Sequence, residues 1–217
     1  MPVLNEEAEI ERVLRHLCDE QPYELIVADG GSTDRTAGIA RRMATVVESE
    51  PGRGIQLNAG ARAATGDLML FVHADCRLSA GGLQAVRDAM SDSRVVGGSF
   101  DLRFDGNCRS SAIFTRINRV RRRCGVVYGD AGIFCRREVF HELGGFRNWP
   151  ILEDFDFARR LGRLGRMAHL AHPIWASDRR WRNSGLMRTM ASWFFIQGLY
   201  IAGVSPHRLA RLYRHVR

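Results

Sequence analysis

Apolar positions recur at helical spacing across Glu6 to Leu17 (EEAEIERVLRHL), with Asn5 ahead of them as the N-cap and acids in the first turn, where the helix dipole favours them. ELIVAD then reads as a buried strand, and GGSTD as a turn whose Ser32, Thr33 or Asp34 caps a helix through Thr36 to Met43. ATVVESEP is a second short strand, GRGIQLNAGARAAT a glycine-bearing loop that runs into a helix, and DLMLFVHAD a strongly apolar third strand. AGGLQAVRDAM is another amphipathic helix, and VVGGSFDLRFD alternates as a half-exposed strand does. Strand and helix alternate, so the expected class is α/β with a mostly parallel sheet flanked by helices. Beyond residue 101 the pattern is less regular.

With 217 residues and 45% apolar content, the chain is expected to form one domain with a substantial core. Five cysteines, with no CxxC pair and no zinc-like spacing, argue against a disulfide framework or a structural metal and for the cytosol. The opening MPVLNEEAEIER is acidic where a signal peptide needs a basic stretch. The longest apolar run, Trp193 to Val204, is about a dozen residues, short of the roughly 20 that span a bilayer.

Charge is unevenly spread. Residues 1–100 hold 10 arginines against 15 acids, and residues 101–217 hold 22 against 9. All 32 basic residues are arginine, a planar fork suited to phosphates and carboxylates, although codon bias is the better explanation for the lack of lysine. The run RVRRRC (119–124) is a solvated helix face or a contact for an anionic substrate or membrane. Residues 186–217, with arginines at 208, 211, 214 and 217, form a core or dimer helix, or lie peripherally on the inner face of an anionic membrane. No nucleic-acid motif is present, so no nucleic-acid partner is expected.

Three acids, Asp29, Asp75 and Asp154, follow apolar stretches. Strands of open α/β sheets point their C-terminal ends at a ligand crevice, where such carboxylates can serve as hydrogen-bond acceptor, metal ligand and base. Asp29 and Asp154 also have a structural reading. Asp29 suits an Asx-turn in DGGSTD, and Glu153, Asp154 and Asp156 suit a solvated helix N-terminus, although the apolar WPIL segment before them looks buried. Arg53 sits in a glycine-bearing loop, either exposed or paired with a diphosphate. His73 is either structural or a ligand, and Asp130 in VVYGDAGIF is either a turn residue or a contact for substrate.

These segments, in this order, resemble family 2 glycosyltransferases of the GT-A fold. The resemblance rests on PVLNEE, ADGGSTD, GRGIQLNAG, the HAD variant of a D-x-D motif, GDAGIFCRREVFHELGGF and LEDFDFARRLGRLG. The subgroup it most resembles is the transferase 2 group associated with radical SAM and selenium-domain proteins. The resemblance implies transfer of a sugar, with inversion, from a nucleotide-diphosphate sugar to an unidentified acceptor hydroxyl. It implies donor contacts from Pro2, Asn5, Glu6, Asp29, Gly30, Gly31, Arg53, Asn58 and Asp75, and acceptor contacts from Gly129 and Asp130. Asp154 becomes the base with Glu153 beside it, and a divalent cation, Mg2+ or Mn2+, falls to Asp75 and His73. It divides the single domain into a nucleotide-binding half (1–100), an acceptor half (101–185) and a helical end (186–217).

The chain also departs from that pattern. Relatives usually carry an apolar strand before P-x-x-N, whereas here Met1 abuts Pro2, so the first strand is shortened or missing, or the start codon is misassigned. Ser177 stands where processive relatives have the glutamine of Q-x-x-R-W, ahead of Arg180-Trp181, which argues against polymerisation. Two other readings remain: a nucleotidyltransferase, which should show a lysine-bearing glycine-rich signature, and a basic adaptor that binds anions or membranes without catalysis.

Overall fold

A computed structural model describes residues 1–104, 109–123, 126–177 and 186–216. Cys108, Cys124 and Arg180-Trp181 lie outside that set. The first half alternates strand and helix: β1 (Pro2–Val3), α1 (Ile10–Asp19), β2 (Ile26–Asp29), α2 (Thr36–Ala40), β3 (Thr45–Glu48), α3 (Arg53–Ala63), β4 (Leu68–Phe71), β5 (Cys76–Leu78) and α4 (Gly82–Met90). Then come β6 (Val95–Phe104), α5 (Arg109–Arg123), a 3₁₀ turn (Gly129–Ala131), β7 (Ile133–Arg136), α6 (Arg137–Glu142), α7 (Glu153–Leu164), β8 (Arg166–Ala176), α8 (Leu186–Ile201) and α9 (Pro206–Val216).

The class is α/β with helices flanking the sheets, and the strands divide into two groups. β1, β2 and β3 pair in parallel, with Pro2 opposite Ala28 and Val3 opposite Asp29. The other five run in the order β4-β7-β6-β8-β5, with β6 and β8 parallel and the remaining pairs antiparallel. DLMLFVHAD therefore finds its partner, β7, more than sixty residues later and running the other way. Local alternation carries no information about such a distant pairing. β6 likewise differs from the half-exposed strand expected: β7 and β8 flank it, and eight of its ten residues are buried.

α1 starts later than its spacing predicts. Ile10, Val13, Leu14 and Leu17 bury one face. Asn5 does not cap the helix; it adopts a left-handed φ of 54° and accepts the Thr33 N–H at 2.9 Å through Oδ1. In the opposite sense, the Glu6 and Glu7 backbone N–H groups donate to Thr36 Oγ1 and Asp34 Oδ2, so PVLNEE is latched onto the GGSTD turn.

β1 has two residues, Pro2 and Val3. Beyond its start, a groove of about 540 Å3, lined by Met1 and Ile26 on one side and by residues 68–72 on the other, separates β2 from β4. The Met1 amine is buried there, donates to the Ile26 carbonyl at 2.8 Å, and has its pKa lowered by burial to about 5. The folded pKa lies below the unfolded value of 8.0, so the unfolded chain binds more protons between about pH 5 and 8, and stability rises with pH across that window. Three units correspond to about 4 kcal/mol. Urea unfolding of the free and Nα-acetylated chains should give equal stability at pH 8 and an acetylated form more stable by about that amount near pH 5. Equal stability at both pH values would show that the amine is not buried in solution.

Candidate active site

α3 is the scaffold on which the site is built. Arg53 is its first residue rather than part of a loop, and its side chain is half-exposed. Gln56, one turn on and buried, donates from Nε2 to the carbonyls of Val3 (2.7 Å) and Ala28 (3.0 Å), fastening the ends of β1 and β2 together. The sequence conceals Gln56, because the glycines of GRGIQLNAG read as a loop, to which helical spacing does not apply. Gly30 is the residue this clamp requires, since a Cβ there would lie 2.9 Å from the Gln56 amide. Gly31 has a φ of 88° with open space beside it. Asn58 holds both the N–H and the carbonyl of Phe146, at 2.9 and 2.8 Å, and so fixes the chain that leads to α7.

At the end of β2, Asp29 is buried and accepts from the Ser32 hydroxyl at 2.5 Å and the Ser32 N–H at 3.1 Å. The Asp29 side chain thus closes its own turn, but through Ser32, three residues on, rather than as the two-residue Asx-turn. Pro2 lies in β1, and Glu6 begins the latch already described.

α7 separates the three acids by task, and none of them is a solvated cap. Asp156 is buried and paired with Arg160 at 2.7 Å and Arg147 at 3.3 Å, a structural role. Glu153 is fully buried, 3.0 Å from Arg53 but not aligned for a hydrogen bond, and its carboxyl oxygens have no hydrogen-bond donor among the described residues. Burial first, and the neighbouring Asp154 charge second, push its pKa above the ordinary glutamate range, against the pull of Arg53. Asp154 is buried too, with Oδ2 accepting the Gly129 N–H and Oδ1 the Phe155 N–H, both at 2.6 Å. Leu152 turns the chain into this helix with a left-handed φ of 64°, a conformation unfavourable for a bulky residue. The WPIL segment is only partly buried: Trp149, Ile151 and Leu152 are half-buried and Pro150 is exposed.

His73 and Asp75 follow β4. Asp75 is exposed, and the Cys76 thiol lies 3.6 Å from its carboxylate. His73 is buried, with Nδ1 2.8 Å from the Asp130 carboxylate. Burial by itself would lower its pKa, but Asp130 outweighs burial and the net shift is upward. A Cβ on Gly129 would lie 2.7 Å from His73 Nε2 and 2.9 Å from Asp154 Oδ2, so imidazole and carboxylate meet over a residue with no side chain. Glu153 and Asp154, Gly129 and Asp130, His73 and Arg53 are therefore brought together. The Asp29 turn joins them through Gln56 and α3.

The arginine run is less solvated than its composition suggests. Arg119 and Arg122 close on the buried Asp101 carboxylate, with Arg119 at 2.7 Å. Burial would raise the Asp101 pKa, yet the arginines lower it.

Residues 1–144 match the model of Glycosyl transferase family 2. The chain belongs to that family. It is 28% identical over 204 residues to an uncharacterised protein of Mycobacterium tuberculosis, covering 80% of this chain and 64% of that one. It is 23% identical over 193 residues to glycosyltransferase AglE of Haloferax volcanii, with the same coverage. Among solved structures it resembles the mannosyltransferase PcManGT of Pyrobaculum calidifontis, in complex with GDP-Man and Mn2+, with a TM-score of 0.66 and 22% identity over 99% of this chain and 66% of that one. It also resembles glucosyl-3-phosphoglycerate synthase of Mycobacterium tuberculosis, with a TM-score of 0.56 and 23% identity over 79% of this chain and 67% of that one, in a complex with Mn2+ and UDP-glucose. These likenesses establish a GT-A-like fold. The chain spans a little under two thirds of the length of the curated relatives it matches first.

Proposed function

We propose that this protein transfers a sugar from a nucleotide-diphosphate sugar to an acceptor hydroxyl, with inversion and with Asp154 as the base. The observation that carries the reading is the Asp154 carboxylate, buried yet lining a cavity with Arg53 and Asp130 and oriented by two backbone N–H groups. A carboxylate fixed in this way can take the proton of an incoming hydroxyl within hydrogen-bond reach. The acceptor oxygen forms its bond to the anomeric carbon from one face, and the carbon–oxygen bond to the diphosphate breaks on the other. The nucleoside diphosphate departs with the electron pair.

Arg53 is assigned to the diphosphate, and Glu153 holds it at the mouth of the site until donor arrives. Asp29, Gly30 and Gly31, with Pro2, Asn5 and Glu6 latched beside them, are assigned to the nucleoside, and Asn58 supports them through Phe146. Gly129 and Asp130 border the acceptor, with Asp130 also orienting His73.

A divalent cation fits this arrangement in a limited way. Among the described residues no three His, Cys, Asp or Glu side chains converge on a metal position. Asp75 nevertheless presents one exposed carboxylate, and Mg2+ and Mn2+ are commonly held by one carboxylate together with substrate phosphates. The cation would neutralise charge that builds on the leaving diphosphate. His73 Nε2 is the second candidate donor, because a carboxylate on the other ring nitrogen is the usual support for a metal-bound histidine.

Calorimetric titration of nucleoside diphosphates and nucleotide sugars, with and without Mn2+, tests the reading. One nucleotide should bind in a Mn2+-dependent manner, and Asp75→Ala should weaken it by tenfold or more without changing the melting temperature. A folded protein that binds no nucleotide would favour the anion-binding adaptor. Placement in the cytoplasm at the inner membrane face belongs to the same proposal and draws on the exposed Phe194, Phe195, Ile201 and Leu212 of α8 and α9. No helix among the described residues is long and apolar enough to cross a membrane.

A further inference from the structure

Asp154 and Asp130 border a cavity of about 110 Å3 whose other walls have a different character. Leu102 and Phe104 come from the end of β6, Trp193 and Ile196 from α8, and Ile151 and Leu152 from the approach to α7. Engineered apolar cavities of comparable size accept a single benzene ring. A free sugar would turn hydroxyls toward these side chains, among which only the Trp193 indole N–H can hydrogen-bond, with Gln197 the other neutral polar group of α8 on the cavity, and each unmatched hydroxyl would cost affinity.

Two donors on one face of α5 complete the picture. Asn118 lines the cavity, and its buried Nδ2 has no acceptor among the described residues, an arrangement that costs stability unless something supplies one. Arg121, three residues on and so on the same face, also lines the cavity. Its guanidinium lies 4.5 Å from the Phe194 ring centre and 5.8 Å from that of Tyr128, and no carboxylate among the described residues pairs with it. The cavity thus combines a proton-accepting end, an apolar wall, and a donor pair suited to an anionic oxygen.

We infer that the acceptor is an alcohol whose hydroxyl is carried on an apolar, ring-sized body bearing an anionic oxygen group. This inference rests on the glycosyl-transfer reading above. The hydroxyl faces Asp154, the ring lies against Trp193, Phe104 and Leu102, and the anionic oxygen meets Arg121 and Asn118.

The test uses the full chain with the donor that binding selects. Release of nucleoside diphosphate to water is measured first, and then transfer to three probes: 4-(hydroxymethyl)benzoate, benzyl alcohol and methyl glucoside. The two aryl alcohols should be glycosylated with KM values at least tenfold below that of methyl glucoside, the charged one lowest. Arg121→Gln should abolish the advantage of 4-(hydroxymethyl)benzoate over benzyl alcohol, and Arg121→Lys should restore part of it. Both probes are compared within each variant, so a partly destabilised protein still reports the ratio. Donor hydrolysis with methyl glucoside preferred, or an unchanged ratio in Arg121→Gln, overturns this inference alone. Absence of both donor binding and hydrolysis overturns the glycosyl-transfer reading and this inference with it.

Discussion

Asp154→Asn is expected to lower kcat by about 10²–10⁴, the range typical of a lost general base, while donor affinity stays within about threefold. The substitution keeps the size of the side chain but removes the proton acceptor, and one of the two N–H groups now facing Asp154, from Gly129 or Phe155, meets an amide NH₂ instead of an oxygen. A modest loss of stability should accompany this, on the order of 1–3 kcal/mol. Steady-state turnover together with calorimetric donor binding separates the two effects. Turnover within a few-fold of wild type, in a protein that still binds donor, would remove Asp154 from the chemistry and leave it as a helix-start residue.

The largest structural effect is expected at Gly98, far from any reacting group. It sits mid-strand in β6, where a Cβ would come within 2.1 Å of the Ala168 carbonyl of β8 and 2.4 Å of the Phe134 ring of β7. A flexible side chain can yield to such a contact, but a carbonyl fixed in a sheet cannot. Gly98→Ala should therefore cost about 3 kcal/mol or more, the upper range for overpacking, and lower the melting temperature by roughly 6–12 °C. Gly198→Ala is the matched control: it lies within α8, where an added Cβ would meet nothing within 4 Å, so helix propensity favours the change. Differential scanning calorimetry of the pair decides the matter, and a Gly98→Ala protein as stable as wild type would mean that β6, β7 and β8 pack less closely than these distances imply.

What could be read from the chain followed the range of the interactions involved. α1, β2, β3 and α4 were visible because their apolar spacing is local, and Asp29 and Asp154 stood out because polar residues directly after apolar segments are unusual. The antiparallel pairing of β4 with β7 was hidden, since it joins residues more than sixty apart. β6 looked half-exposed because its alternation does not reveal that α4, α5 and α7 all pack against it. The contact of His73 with Asp130 and the Gln56 clamp were hidden for the same reason. Among the three acids of α7, composition could not assign roles: Asp156 became structural only because Arg147 and Arg160 arrive from elsewhere in space. The arginine run misled in the opposite direction, because its partner Asp101 lies on a strand that local charge counting never associates with it.

The gap between β2 and β4 has a mechanical consequence. No backbone ladder crosses it among the described strands, so helices tie the two sheets: from α3, Gln56 grips β1 and β2 while Arg53 and Asn58 reach Glu153 and the Phe146 backbone, and from α1, His16 Nε2 lies 2.6 Å from the Leu78 carbonyl of β5. A donor held at one end by the Asp29 turn and at the other beside Asp154 would act as a strut across that seam. Substrate would then brace the two sheets against each other, and the geometry needed for proton transfer would be complete only when the site is full.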